Sequence, residues 1–113
     1  MAKNVVFYGF KGNPMCFTHL LINALDMHKR GINARIVIEG ESTKTAKEMM
    51  EAENKFFMEA LELELFDGIC KACANQMGVL DFFESKNIPI LSDLYGHPPI
   101  GPYIEKDFEV IVL

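Results

Sequence analysis

The stretch "FDGICKACANQM", residues 66–77, sets two cysteines three apart in a chain that holds only three. Thiols at that spacing serve one of four ends: small buried hydrophobes, half of a zinc site, a dithiol redox pair, or one nucleophilic thiol with a companion. Cys73 opens a helix-forming segment, where unpaired backbone N–H groups and a partial positive charge favour the thiolate, and Lys71 adds a nearby cation. Cys70 falls at the end of the preceding strand. Cys16 lies in "NPMCFTHLL", with His19 three residues later on the same helical face, a pair that offers two metal donors or a packed first turn. His97 stands beside Pro98 in the loop "SDLYGHPPIG", and His28 sits at the basic, solvated end of its helix.

Several chemistries lack their motif. "YGFKGNP" has two glycines but neither the dinucleotide fingerprint nor a phosphate loop with its Lys-Ser/Thr pair. Haem attachment fails because Ala74 stands where a histidine must follow the second cysteine. A serine nucleophile elbow is missing.

The elements that must position these residues alternate along the chain. "NVVFYGF" and "ARIVIEG" are β-branched and apolar throughout, the pattern of strands buried on both faces. Between them Asn13 suits an N-cap, Pro14 the first helical position and Gly31 the stop, with Phe17, Leu20, Leu21, Ala24 and Leu25 at helical spacing. Ser42 or Thr43 is expected to cap a helix to about Glu53, and Asn54 to cap a second that presents Phe57, Ala60 and Leu61. "LFDGIC" reads as a third strand despite Asp67 and Gly68, and "ANQMGVLDFFESKN" as one helix containing Gly78. "IPIL" and "FEVIVL" complete five strands, with a turn-rich "GHPPIGPYIEK" between them. Strand–helix alternation of this kind predicts a three-layer α/β/α sandwich with a mainly parallel five-stranded sheet, one domain over residues 1–113.

Ligands in open α/β sheets bind beyond the carboxyl ends of the strands. "KGNPMC" falls there after strand one, "CKAC" after strand three, and "SDLYGH" with Asp93, Tyr95 and His97 after strand four. With strands one and three as neighbours, all three cysteines reach one edge. Zinc then has a Cys₃His set in Cys16, Cys70, Cys73 and His97. A thiol reaction centred on Cys73 needs no cofactor.

Half of the 113 residues are hydrophobic and 24% charged, as in a globular chain. Residues 41–67 hold eight acidic groups against Lys44, Lys47 and Lys55, so this segment alone carries the net charge of −5 and reads as a solvated helical face. There is no basic stripe with interleaved aromatics, which speaks against nucleic acid, and no apolar run of the roughly 20 residues that span a bilayer. "MAKNVVFYGF" reads as structure rather than a signal peptide, and an odd cysteine count argues for a reducing compartment, so a cytoplasmic location is expected.

"ICKACANQMGV", together with "VVFYGFKGNPMCFTHLLINALDM" at the start and "FEVIVL" at the end, resembles the DsrE-like family of small sulfur-relay proteins. Cys73, Ala74, Asn75 and Met77 match the family pattern of a cysteine, a small residue, asparagine and methionine. The resemblance implies that Cys73 carries a persulfide sulfur between donor and acceptor proteins and that the chain assembles as a homotrimer or hexamer; Lys71, Asn75, Cys16 and His97 are expected to border the site. Cys70 and Cys16 depart from the one-cysteine relay pattern. They fit a resolving thiol, with Cys70 releasing sulfide by forming a Cys70–Cys73 disulfide, or a metal-binding branch. A third reading leaves the cysteines buried and inert in an oligomeric ligand-binding domain.

Overall fold

A computed structural model describes residues 3–113. Five strands, β1 (Asn4–Gly9), β2 (Asn33–Ile38), β3 (Phe66–Cys70), β4 (Ile90–Leu91) and β5 (Glu109–Val112), form one all-parallel sheet. The strand order is β4-β3-β2-β1-β5. The chain thus steps outward from β1 to β4 and then crosses back to lay β5 on the other side of β1. Six helices make the crossovers: α1 (Pro14–Lys29), α2 (Ser42–Glu51), α3 (Lys55–Glu62), α4 (Lys71–Gln76), α5 (Leu80–Glu84) and α6 (Gly101–Glu105). Among the described residues no helix is long and apolar enough to cross a membrane.

The two faces of the sheet are covered unequally. Val5 and Phe7 point into a large apolar cluster shared with buried residues of α1 to α5, whereas Val6, Tyr8 and Val37 form a smaller one closed by Tyr103 of α6, Phe108 and Leu91. The result is an α/β sandwich with one thick and one thin outer layer. Burial on both faces is why β1 and β2 read as continuous apolar runs rather than alternating ones.

Local chemistry fixes most boundaries where the sequence puts them. The Asn13 side chain accepts the N–H groups of Met15 and Cys16, Pro14 opens α1, and Gly31 follows its end at φ 83°. Asn54 caps α3 in the same way, accepting from Phe56 and Phe57.

Three expectations are corrected. Neither Ser42 nor Thr43 caps α2; Glu41 is the N-cap residue, and both hydroxyls turn back to donate to carbonyls of the preceding loop. "ANQMGVLDFFESKN" is two short helices, because Gly78 takes φ 73° and ends the first. Finally, β3 neighbours β2 and β4, not β1. Periodicity reports burial, not which strands pair, and here a full strand separates the end of β1 from the end of β3.

Asp67 and Gly68 do not weaken β3; they shape it. Phe66 pairs with Ile36 and Gly68 with Val37, so Asp67 is an extra residue, a bulge. A Cβ on Gly68 would sit 2.5 Å from Leu91 Cγ and 2.8 Å from the Pro89 carbonyl oxygen. Only glycine lets β4 lie this close, and β4 leads directly into the loop that carries His97.

Candidate metal centre

Three loops at the carboxyl edge of the sheet build one cluster. The first follows β2. Glu39 N–H donates to the Gly9 carbonyl at 2.7 Å, and the buried Ser42 hydroxyl lies 2.5 Å from both the Gly9 and the Glu39 carbonyl oxygens. Gly40, at φ 53°, lets the chain turn where a Cβ would meet the Phe10 carbonyl oxygen at 2.8 Å. This tight turn holds Glu39 half-buried at the strand end.

The second is the junction of β3 and α4. Cys70 is the N-cap residue, in extended conformation, and its sulfur accepts the N–H of Cys73 at 3.3 Å. That is the position usually taken by Ser, Thr, Asp or Asn, so the buried thiol does the work of a capping oxygen. The Cys70 side chain is fully buried and Cys73 is partly exposed.

The third follows β4. Gly96 O accepts the N–H of Ala72, the second residue of α4, at 2.9 Å, and Leu94 and His97 exchange backbone hydrogen bonds of 2.8 Å each. Tyr95 and Gly96 both adopt left-handed backbone, φ 51° and 86°, and a Cβ on Gly96 would press on Ala72 Cβ at 3.2 Å. The loop is thereby pinned over α4. His97 Nδ1 comes to lie 3.1 Å from Cys70 Sγ and 3.7 Å from Cys73 Sγ.

Together Glu39, Cys70, Cys73 and His97 place one donor atom each within 4.8 Å of one another. For a tetrahedral zinc with metal–sulfur and metal–nitrogen distances of about 2.3 and 2.1 Å, the sulfur–nitrogen edge is about 3.6 Å; the Cys73–His97 separation of 3.7 Å matches it, and the Cys70–His97 separation of 3.1 Å is shorter. Burial pushes the Cys70 thiol up to about 12, reinforced by the Cys73 thiol and by the charge of Glu39. Burial likewise raises Glu39, which the neighbouring imidazole partly offsets. Without a cation Cys70 is therefore a neutral thiol at physiological pH.

Of the residues expected from sequence, the fold brings together Cys70, Cys73 and His97. Cys16 does not join them. It stays in the first turn of α1, its N–H 3.3 Å from the Asn13 side chain, beyond the β1 end of the edge. The Cys₃His set Cys16, Cys70, Cys73 and His97 is corrected to Cys₂His with Glu39, because β2 and not β1 runs beside β3. Lys71 and Asn75 are exposed on α4, and neither side chain enters a hydrogen bond or ion pair among the described residues. His19 and His28 are exposed and outside the cluster. Glu39 was the residue missed. Its signal was an acidic group directly after the buried run "ARIVI", at the same strand-end position that singles out Cys70.

This is an α/β sandwich bearing a thiol–imidazole–carboxylate group at the carboxyl edge of its sheet. Over 108 residues, 95% of this chain and 88% of the relative, it is 27% identical to the uncharacterized protein MJ0733 of Methanocaldococcus jannaschii. An uncharacterized protein of Archaeoglobus fulgidus is 33% identical over 43 residues, which are 38% of this chain and 70% of that protein. The chain belongs to the same family as the Archaeoglobus protein. No family model matches the chain, and no solved structure matches it.

Proposed function

We propose that the protein binds one thiophilic divalent cation, zinc foremost, through Cys70, Cys73 and His97, with Glu39 at the same centre. The observation that carries this reading is the convergence of four donor atoms from three separate loops within 4.8 Å. Mixed sulfur and imidazole donors select zinc over magnesium or calcium, which take oxygen ligands. Two features support a built site. The Cys70 cap and the Ala72–Gly96 bond hold the thiols and the imidazole in register before any cation arrives. Glu39 adds a negative charge that no lysine or arginine neutralises among the described residues. Titration of the metal-free protein with zinc, in competition with a chromogenic chelator, should give one equivalent bound per chain. Replacing Cys73 and Cys70 together by serine should abolish it with the fold retained by circular dichroism. Full uptake by that double variant would defeat the reading.

A second reading, persulfide transfer in the manner of the DsrE-like proteins, is favoured by the partial exposure of Cys73 beside a surface cavity. In it the Cys73 thiolate attacks the outer sulfur of a donor persulfide, the S–S bond breaks with the donor thiol leaving, and Cys73 becomes the persulfide. The buried Cys70 then attacks the Cys73 sulfur, forming the Cys70–Cys73 disulfide and releasing hydrogen sulfide. Three free thiols fit a reducing compartment such as the cytoplasm. A mass increase of 32 Da on Cys73 after exposure to a persulfide donor, undiminished by saturating zinc, would favour this reading over the metal site.

A further inference from the structure

We infer, resting on the metal-binding reading, that the centre is open rather than closed. Cys70, Cys73 and His97 hold the cation, water occupies the fourth position, and Glu39 is the proton acceptor for that water. The protein would then catalyse hydrolysis of a small, largely apolar ester or amide at its carbonyl carbon.

Three observations carry this. Closed structural zinc sites use four Cys or His donors, whereas three protein donors such as Cys₂His leave a position for water. Among the described residues three such donors converge here. Secondly, Glu39 stands back from the ligand shell. One of its oxygens lies within 4.8 Å of the imidazole nitrogen, yet the ion pairs of 4.0 Å or less among the described residues are Lys29–Glu59, Arg30–Asp26 and Arg35–Asp67. A carboxylate bound to the same tetrahedral zinc would sit about 3.4 Å from the nitrogen. One hydrogen-bond layer out, it is placed to meet a bound water. Thirdly, a cavity of about 290 Å³, lined by Phe10, Gly40, Glu41, Cys73, Gln76 and Met77, opens beside Cys73 between Glu39's turn and α4. Its walls are mainly apolar, with Glu41 and Gln76 as the polar contacts.

The reaction balances with water as the sole co-reactant. Glu39 takes a proton from the bound water, and the resulting hydroxide forms a bond to the carbonyl carbon while the π pair moves onto oxygen. Collapse breaks the bond from that carbon to its leaving group, and the departing alcohol or amine takes the proton that Glu39 held.

Cobalt(II) substitution tests this, using wild type and Glu39→Gln. The expected result is equal cobalt stoichiometry and affinity within threefold in both, the same visible d–d bands, and a shift of those bands on adding azide. Cobalt- or zinc-dependent hydrolysis of p-nitrophenyl acetate should fall at least tenfold in Glu39→Gln. Cobalt affinity reduced 100-fold with altered bands in Glu39→Gln makes Glu39 a ligand and overturns the inference, as does a spectrum indifferent to azide or hydrolysis at the wild-type rate. Failure of wild type to take up cobalt or zinc at all overturns instead the metal-binding reading beneath it.

Discussion

β2 and β3 lie side by side and carry a polar cluster at each end. At the start of the pair, Arg35 reaches Asp67 at 2.7 Å through both Nε and Nη2, Nη2 also donates to the Glu64 carbonyl at 2.7 Å, and the Tyr103 hydroxyl donates to the other Asp67 oxygen. Cation, anion and hydroxyl satisfy one another, and the network welds α6 to the sheet. At the other end Glu39, Cys70, Cys73 and His97 bring donors for a cation but contain no permanent cation of their own. The same two strands thus close one cluster and leave the other open. A saturated network stabilises a fold; a convergent set of sulfur, nitrogen and carboxylate atoms without a cation among them is the place proposed above for a metal ion.

The largest effect should come from the open end. His97→Ala removes a donor and is expected to weaken zinc more than the roughly 10- to 100-fold that loss of a supporting hydrogen-bond partner costs. Chelator competition reads the change, and thermal unfolding of the metal-free variant should match wild type within a few degrees. Equal zinc affinity in this variant would erase the distinction between the two ends.

Proton linkage comes next. Cys70 holds its proton at neutral pH because burial lifts it to about 12, and a coordinating thiol is deprotonated. Zinc uptake must therefore expel that proton. Apparent affinity should rise with pH by at least about tenfold per unit between pH 6 and 8, each unit being worth 1.36 kcal/mol. A flat profile would mean that Cys70 is not a ligand.

At the closed end, Asp67→Ala strands Arg35, whose side chain is only 26% exposed. Loss of charged hydrogen bonds of this kind costs about 2 kcal/mol, to be read from urea denaturation, while zinc affinity stays within twofold. If Asp67→Ala instead abolished zinc binding, the two clusters would be one coupled unit.

The smallest effect calibrates the scaffold. Glu53 and Glu64 end α2 and α3 in left-handed backbone, φ 52° and 58°, where glycine is free of strain. Glu64→Gly should raise stability by up to about 1 kcal/mol and leave both clusters unchanged.

Much of the fold was legible because local chemistry dictates it. Asn13, Pro14 and Gly31 bound α1 by capping, steric fit and left-handed φ, all properties of single residues. Strand pairing is not local, and that one gap propagated into the site. Cys16 stands beside Cys70 only if β1 adjoins β3, and the neighbour of β3 is β2, whose end carries Glu39. Ser42 misled for a related reason. Its hydroxyl suits an N-cap, but the close approach of Gly9 and Glu39 carbonyls offers it acceptors that exist only in the folded chain. Cys70, Cys73 and His97 were readable from residue type and strand-end position, and their mutual distances were not.

The most direct test of the account is native mass spectrometry of protein stripped of metal and then offered one to two equivalents of zinc. A single zinc adduct is expected on the folded wild-type chain, lost on denaturation and missing from the Cys70→Ser, Cys73→Ser double variant. A folded wild-type protein that takes no zinc, or a double variant that binds it as well as wild type does, would contradict it.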